Sequence, residues 1–241
     1  MLHAGIGLDF ADRLVSQLAP GSPASEVRAI LQQFIELCKT NSRDGYLGCA
    51  LESLGLVSRD FHPDVFKIVA QQFEEMAPDF AGFFWHGAGR ALYFSRKYFL
   101  PVLCALCDVG EIATTEPQQL SAIAGLSWAV TLVNMRNPAV MENQIRLQMD
   151  NAPLIRAYTN GVVSTTIMRE DTTPAQAYVA AYIQHKPQNP DIARAWNNLI
   201  TVPVTTALQS YYPVLLSHHA MDQVFRYQDL GKLVDELSHG H

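Results

Sequence analysis

Proline spacing constrains the fold of this chain more than any other feature of its sequence. Short gaps of 15 or 16 residues alternate with long gaps of 21 to 23 residues between eight prolines: Pro63, Pro78, Pro101, Pro117, Pro138, Pro153, Pro174 and Pro190. Proline is tolerated at the first position of a helix, where its missing N–H would have no intrahelical partner, and is disfavoured further in. We therefore predict that each of these prolines opens a helix.

Capping residues support the same helix starts. Side chains that cap helices lie one to three positions before six of the prolines: Asp60, Thr115, Asn137, Asn151, Thr173 and Asn189. The alternation predicts a hairpin of a short helix A and a longer helix B, repeated every 37 residues or so. Helix A opens at Pro63, Pro101, Pro138 and Pro174, with Pro213 as a further candidate, and helix B opens at Pro78, Pro117, Pro153 and Pro190.

Glycines recur in phase with the prolines. Gly87, Gly125 and Gly161 each lie eight or nine residues after a helix-B proline, and a small residue follows each of them four positions later. Gly45, followed by Cys49, is an earlier and less regular copy. Glycine inside a helix costs about 1 kcal/mol relative to alanine, so its recurrence predicts a strip where a neighbouring helix approaches closely. The alternative is that these glycines are coincidental or mark turns.

The predicted fold is all-α: an array of antiparallel helical hairpins that resembles an α-solenoid. We expect a single all-helical domain over residues 1–241, with N-terminal helices in 1–60, hairpin repeats in 61–212 and C-terminal helices in 213–241. The tail, residues 223–237, is expected to form one closing helix.

Composition limits the class of partner. Only 17% of residues are charged, against roughly 25% in a typical soluble domain, which predicts a protein partner or a homo-oligomer. The net charge of −6 and the scattered basic residues disfavour nucleic acid as a partner.

Residues 117–135 and 195–221 are uncharged, but their amides, hydroxyls and prolines favour buried helices over membrane spans. The N-terminus has no cationic leader, so a cytoplasmic protein is expected.

No catalytic motif is present, and we predict no catalytic residue, cofactor or metal ion. Cys104 and Cys107 form a CxxC pair, but they lie in an apolar run without a second pair at zinc spacing. Reduced core thiols are the favoured interpretation, and a redox role is left open.

One segment, residues 79–99, is rich in aromatic, glycine and basic residues. His86 and Arg90 lie four apart and so share one helix face beside Trp85. A functional interpretation makes Arg90 an anion anchor and His86 a proton carrier or hydrogen-bond donor, with Trp85 as a further contact to a ligand or partner. A structural interpretation, which we favour, has Arg90 cap backbone carbonyls or pair with an acid on the next helix, and it places the aromatic residues in the core.

The sequence GFFWHGAGRALYF (residues 82–94), followed by AGLSWAVTLV, NGVVSTTIM and VFRYQDL, resembles an uncharacterised bacterial family. That family is a domain of unknown function encoded beside enediyne polyketide biosynthesis genes. The resemblance covers residues 44–230 and is most specific at residues 87–94. It implies a bacterial cytoplasmic protein and transfers no catalytic residue.

The sequence predicts a non-catalytic interaction protein, an adaptor or accessory subunit of a bacterial assembly such as a biosynthetic or secretion complex. The alternative is an accessory enzyme or small-molecule-binding protein of natural-product biosynthesis, with a pocket around His86 and Arg90.

Overall fold

The computed structural model describes residues 2–94, 108–148 and 152–240. Every regular element within these ranges is helical, so the predicted all-α class is confirmed. The helices are α1 (Leu2–Val15), α2 (Ala24–Asn41), α3 (Leu47–Asp60), α4 (Phe66–Met76), α5 (Ala81–Phe94), α6 (Glu116–Asn134), α7 (Pro138–Gln148), α8 (Ala152–Thr172), α9 (Ala177–Ile183), α10 (Pro190–Ser217) and α11 (Leu230–His239).

Most of the repeating prolines stand at helix starts. Pro138 and Pro190 are the first residues of α7 and α10, while Pro117 and Pro153 are the second residues of α6 and α8. Pro78 opens a 3₁₀ turn that leads directly into α5. Proline therefore occupies the first turn, where its lost N–H has no intrahelical partner.

The other prolines depart from this pattern. Pro63 and Pro174 lie in turns three residues before α4 and α9, so they precede these helices without opening them. Pro213 lies inside α10 and starts no separate hairpin. Pro101 lies outside the described residues.

Five helices lie side by side in chain order. The row runs α1, α3, α5, α6 and α8, and each member packs against the next. α2 packs against α1 and α4, while α7 contacts α6 and α10. The row is the structural frame of the candidate site, because neighbouring members bring residues far apart in sequence into contact.

Glycines set the spacing within the row. An added Cβ at Gly87 would lie 2.0 Å from the carbonyl oxygen of Glu52 on α3. At Gly125 it would lie 1.8 Å from the carbonyl oxygen of His86, and at Gly161 2.2 Å from that of Ala124. These helices touch through their backbones, which only a residue without a side chain permits.

Gly45 differs from the other three predicted packing glycines. It lies before α3 rather than within a helix, and its φ of +79° is in the left-handed region that favours glycine. Its backbone meets the loop after α10, where its carbonyl oxygen accepts a hydrogen bond from Asp222 N at 2.7 Å. Gly45 is thus a turn glycine, and the helix-packing prediction is wrong for it.

α10 contains two π-helical turns, Asn197–Thr201 and Ala207–Tyr211. Each turn ends shortly before a proline, Pro203 or Pro213. Proline clashes with the carbonyl four residues earlier, and the wider turn relieves that clash. The prolines therefore do not break the helix.

The π turns also keep the buried side chains of α10 on one face of the helix. Its fully buried side chains recur mainly every four residues: Ile192, Trp196, Ile200, Val204, Ala207 and Leu215. In a regular α-helix, a step of four residues drifts about 40° around the axis. Each extra residue in a π turn offsets this drift, so the buried stripe continues to face α8.

The two uncharged stretches have different environments. α6 is buried at every position from Ser121 to Thr131, as the sequence predicted. α10 is the one described helix long and apolar enough to cross a membrane by length and composition, with a mean hydropathy of 1.2 in its most apolar window. Only 22% of that window is buried, so the expectation of a buried helix holds for one face alone.

The chain closes in two pieces instead of one helix. A 3₁₀ helix, Met221–Phe225, packs against α3, α5 and α8, and α11 follows after a non-helical segment. Asp229 caps α11 by accepting a hydrogen bond from Lys232 N at 3.0 Å. The predicted single helix over residues 223–237 is wrong, because Arg226 adopts an extended conformation between the two pieces.

Candidate functional site

A buried ionic cluster joins α3 to α5. Glu52 and His86 are completely buried, and the Arg90 side chain is 15% exposed. His86 Nδ1 lies 2.5 Å from Glu52 Oε1, while the Arg90 guanidinium donates to Glu52 Oε2. One carboxylate therefore binds both polar groups that the sequence singled out. Arg90 does pair with an acid, but that acid lies on the preceding helix α3 and not on the next helix.

Local geometry explains why these three side chains meet. His86 and Arg90 lie four residues apart on α5, so both point toward the same neighbour. Gly55 and Gly87 allow the backbones of α3 and α5 to touch on either side of the cluster. Glu52 then lies opposite His86 and Arg90, although 34 residues separate it from the histidine.

Trp128 on α6 completes the cluster. The Arg90 guanidinium lies 4.1 Å from the centroid of the Trp128 ring, a cation–π contact, and the His86 ring meets Trp128 edge-on. Buried His86 Nε2, Arg90 Nε and Trp128 Nε1 have no hydrogen-bond partner among the described residues. The cluster therefore links three successive helices of the row and still contains unsatisfied polar atoms.

Glu52 also affects a neighbouring thiol. Burial, with a smaller contribution from the negative charge of Glu52, raises the pKa of Cys49 to about 12. A thiolate is the reactive form of cysteine, so Cys49 is held in its unreactive state at neutral pH.

Trp85, the third predicted site residue, faces away from this cluster. Its indole Nε1 donates to Glu74 Oε1 at 2.6 Å. It lines a cavity of about 720 Å³ between the starts of α5 and α6 and the segment 226–228. Neither His86 nor Arg90 lines that cavity, so the three residues do not form one pocket.

The cavity contains charged groups that the sequence did not single out. Glu74 also accepts hydrogen bonds from Gln118 Nε2, at 2.9 and 3.0 Å. The half-buried Arg226 also lines the cavity and lies over the Phe83 ring, 5.3 Å from its centroid. Burial lowers the pKa of Arg226, partly offset by the negative charges of Asp222 and Asp79.

The sequence around Gln118 contains a recognisable helix-capping motif, and the sequence around Glu52 contains a weaker indication of a buried charge. Thr115 and Gln118 form a capping box at the start of α6, the spacing typical of that motif. Glu52 is the only charge in the segment YLGCALESLGLV, and an isolated charge among small and apolar residues indicates a buried partner. Which partner it has depends on long-range packing.

The described residues also bear on the predictions for metal ligands and cysteines. No group of three His, Cys, Asp or Glu side chains there could hold a metal ion. Cys38 and Cys49 are buried free thiols, while Cys104 and Cys107 lie outside the described residues.

The fold and the cluster together define an all-α protein whose central helices are joined by a buried glutamate, histidine and arginine. Comparisons with protein-family models, with curated proteins and with solved structures found no match.

Proposed function

We propose that this chain is a non-catalytic interaction protein, an adaptor or accessory subunit of a cytoplasmic multiprotein assembly in a bacterium. One observation carries the proposal: α10 is a long apolar helix that packs on one face and leaves its other face partly exposed. Exposed apolar side chains set among uncharged polar groups can anchor a protein partner.

The accessible face of α10 has the composition of an interface. Val202 and Leu216 are 53% and 44% exposed, among the most exposed large apolar residues described. Asn198, Gln209 and Ser210 are exposed on the same helix and provide uncharged hydrogen-bonding groups. Apolar anchors with a polar rim match protein interfaces, whereas unpaired amides are costly in hydrocarbon. This mixture favours a protein partner over a bilayer.

The architecture offers a second line of support. As part of the proposal, α5, α6 and α8 are the B helices of repeated hairpins, with α4 and α7 among the A helices. Side-by-side packing of α5, α6 and α8 fits that arrangement. Stacked hairpins present extended surfaces to other proteins, and a helix such as α10, packed on α8 with one face partly exposed, is a natural place for a partner to continue the packing.

A charge substitution tests the proposal. Val202→Glu combined with Leu216→Glu places two charges on the accessible face of α10 and is expected to abolish association with the native partner while the melting temperature stays unchanged. Co-purification from the host with a tagged chain, followed by measurement with the identified partner, gives the readout. Val133→Glu is the matched control, because Val133 is 51% exposed and lies on α6.

The outcomes of this test are distinct. Loss of association in the α10 variant alone supports the proposal. Equal association of both variants contradicts it, and so does a wild-type chain that binds lipid vesicles through α10 but binds no protein.

A competing hypothesis is a small-molecule or catalytic site at His86 and Arg90. It is favoured by the unpartnered His86 Nε2 and opposed by the complete burial of the histidine. His86→Ala and Arg90→Ala separate the two hypotheses. An enzyme loses product while remaining folded, whereas an interaction protein loses only stability.

We also propose that the resemblance to the enediyne-associated family reflects kinship. Its support is the segment from Gly87 to Phe94 alone. Genes for natural-product biosynthesis beside the coding gene would agree with kinship, and a secretion operon would contradict it.

A further inference from the structure

The cavity beside Trp85 has the size of a small-molecule site. Its volume of about 720 Å³ falls within the range of roughly 300–1,000 Å³ that is usual for ligand pockets. Its walls come from four parts of the chain: the end of α4, the turn into α5, the start of α6 and the segment 226–228. A site assembled from such distant segments requires the complete fold.

One wall of the cavity is acidic and rigidly held. Trp85 and Gln118 fix the carboxylate of Glu74 with three short hydrogen bonds. Glu74 forms no ion pair with any described cation, and Glu116 adds a second acidic residue to the lining. Asp79 also lines the cavity, where its negative charge acts on Arg226. A carboxylate can accept about four hydrogen bonds, so Glu74 keeps capacity for a further donor. This wall is suited to a ligand ammonium group.

Another part of the lining carries a cation with weak partners. Arg226 donates to the carbonyl oxygen of Asp79 at 3.5 Å and to Gln228 Oε1 at 3.4 Å, both at the long limit for a hydrogen bond. Its buried Nε has no partner among the described residues. Within the described ranges, no carboxylate lies at ion-pair distance from this guanidinium. A ligand carboxylate would supply the planar two-oxygen partner that guanidinium groups bind best.

We propose that this cavity binds a small zwitterion, with its carboxylate at Arg226 and its ammonium group at Glu74. A short peptide with free termini is the chemical class that combines both charges with the cavity volume. The site is independent of docking through α10, so either proposal can fail without the other.

Three synthetic tripeptides test the charge requirement. Trialanine, N-acetyl-trialanine and trialanine amide differ only in whether each end is charged, and calorimetric titration measures their dissociation constants. We expect trialanine to bind saturably, and blocking either end to weaken binding about tenfold or more. No saturable binding of trialanine at millimolar concentration overturns the proposal, as does equal binding of all three peptides.

Two variants assign each ligand end to its residue. Arg226→Gln is expected to weaken trialanine binding and to remove the discrimination against the amide. Glu74→Gln, which keeps an oxygen for Trp85, is expected to remove the discrimination against the acetylated peptide. Arg194→Gln and Glu36→Gln change exposed residues outside the cavity and serve as controls.

Unfolding does not obscure these assignments. Circular dichroism checks that each variant folds. If Arg226→Gln does not fold, Arg226→Lys, which keeps the positive charge, is measured in its place. The Arg226→Lys variant is expected to retain the preference for trialanine over trialanine amide. A folded Arg226→Gln variant that still rejects the amide overturns the assignment of the carboxylate to Arg226.

Discussion

At the residue scale, Glu52 is the shared partner of His86 and Arg90. Glu52 and His86 are fully buried, and the Arg90 side chain is 15% exposed. Removing one member of a buried charged set leaves the others without compensation, which costs far more than losing an exposed ion pair. The cluster therefore specifies how α3 and α5 align, whether or not it adds net stability.

Glu52→Ala is expected to lower the free energy of unfolding by about 3–5 kcal/mol, because it strands the Arg90 charge and His86 Nδ1. Urea denaturation followed by circular dichroism measures the change. Glu36→Ala is the control, since Glu36 is exposed and interacts with the exposed side chains of Lys39 and Gln32; its expected change is within about 0.5 kcal/mol. Similar values for the two variants would contradict the structural role of Glu52.

The buried thiols predict a loss of stability at alkaline pH. Burial raises the pKa of Cys38 and Cys49 to about 12, from 9.0 in an unperturbed thiol. Between pH 9 and 12 the unfolded chain gives up these protons and the native chain keeps them. The free energy of unfolding should therefore fall as the pH rises through that window.

Alkylation mapping checks the same thiols directly. Iodoacetamide at pH 8 is expected to leave the peptides that contain Cys38 and Cys49 unmodified in the native protein and to modify both in urea. Rapid native modification of either peptide would show that the thiol is accessible.

At the scale of elements, backbone contact between helices is the dominant feature. Gly125 lies against the carbonyl oxygen of His86, so the same contact that joins α5 to α6 also positions the buried histidine. Hydroxyl groups contribute where α6 meets α8: Ser127 Oγ donates to the carbonyl oxygen of Tyr158 at 2.7 Å, and Thr165 Oγ1 to that of Trp128 at 3.0 Å.

Gly125→Ala is expected to destabilise the protein by about 3 kcal/mol or to prevent folding, because its Cβ would overlap a backbone atom that cannot move alone. Gly5→Ala is the matched control in α1, where an added Cβ meets nothing within 4 Å. That variant should be neutral or gain up to about 1 kcal/mol from helix propensity. Thermal unfolding compares the two, and equal effects would contradict backbone contact at Gly125.

Sequence reasoning succeeded where the determinants are local. Helix starts depend on prolines and caps within a few residues, and Asn189 indeed accepts hydrogen bonds from Asp191 N and Ile192 N at the start of α10. Pro213 was misjudged, because proline rules for regular helices do not anticipate a π turn that accommodates it.

Contacts between residues far apart in the chain were harder to predict from the sequence. The structural interpretation allowed an acid on the next helix as the partner of Arg90, whereas Glu52 on the preceding helix could be identified only from the packing of α3 on α5. The cavity residues Glu74 and Arg226 meet around one space although about 150 residues separate them along the chain. No local pattern encodes that proximity.

At the scale of the whole molecule, the row of helices and α10 differ in how much of their surface is covered. The helices of the row bury each other, and the C-terminal 3₁₀ helix covers part of α3, α5 and α8. α10 packs against the last helix of the row and leaves its other face accessible, and this asymmetry is the basis of the proposed partner surface.

Site-specific photocrosslinking tests the central claim most directly. A photoreactive amino acid at position 202 is compared in the native host with the same amino acid at position 133, an equally exposed apolar position on α6. The account predicts a single discrete protein adduct from position 202 and none from position 133. Adducts from both positions, or from neither, would contradict a partner surface on α10.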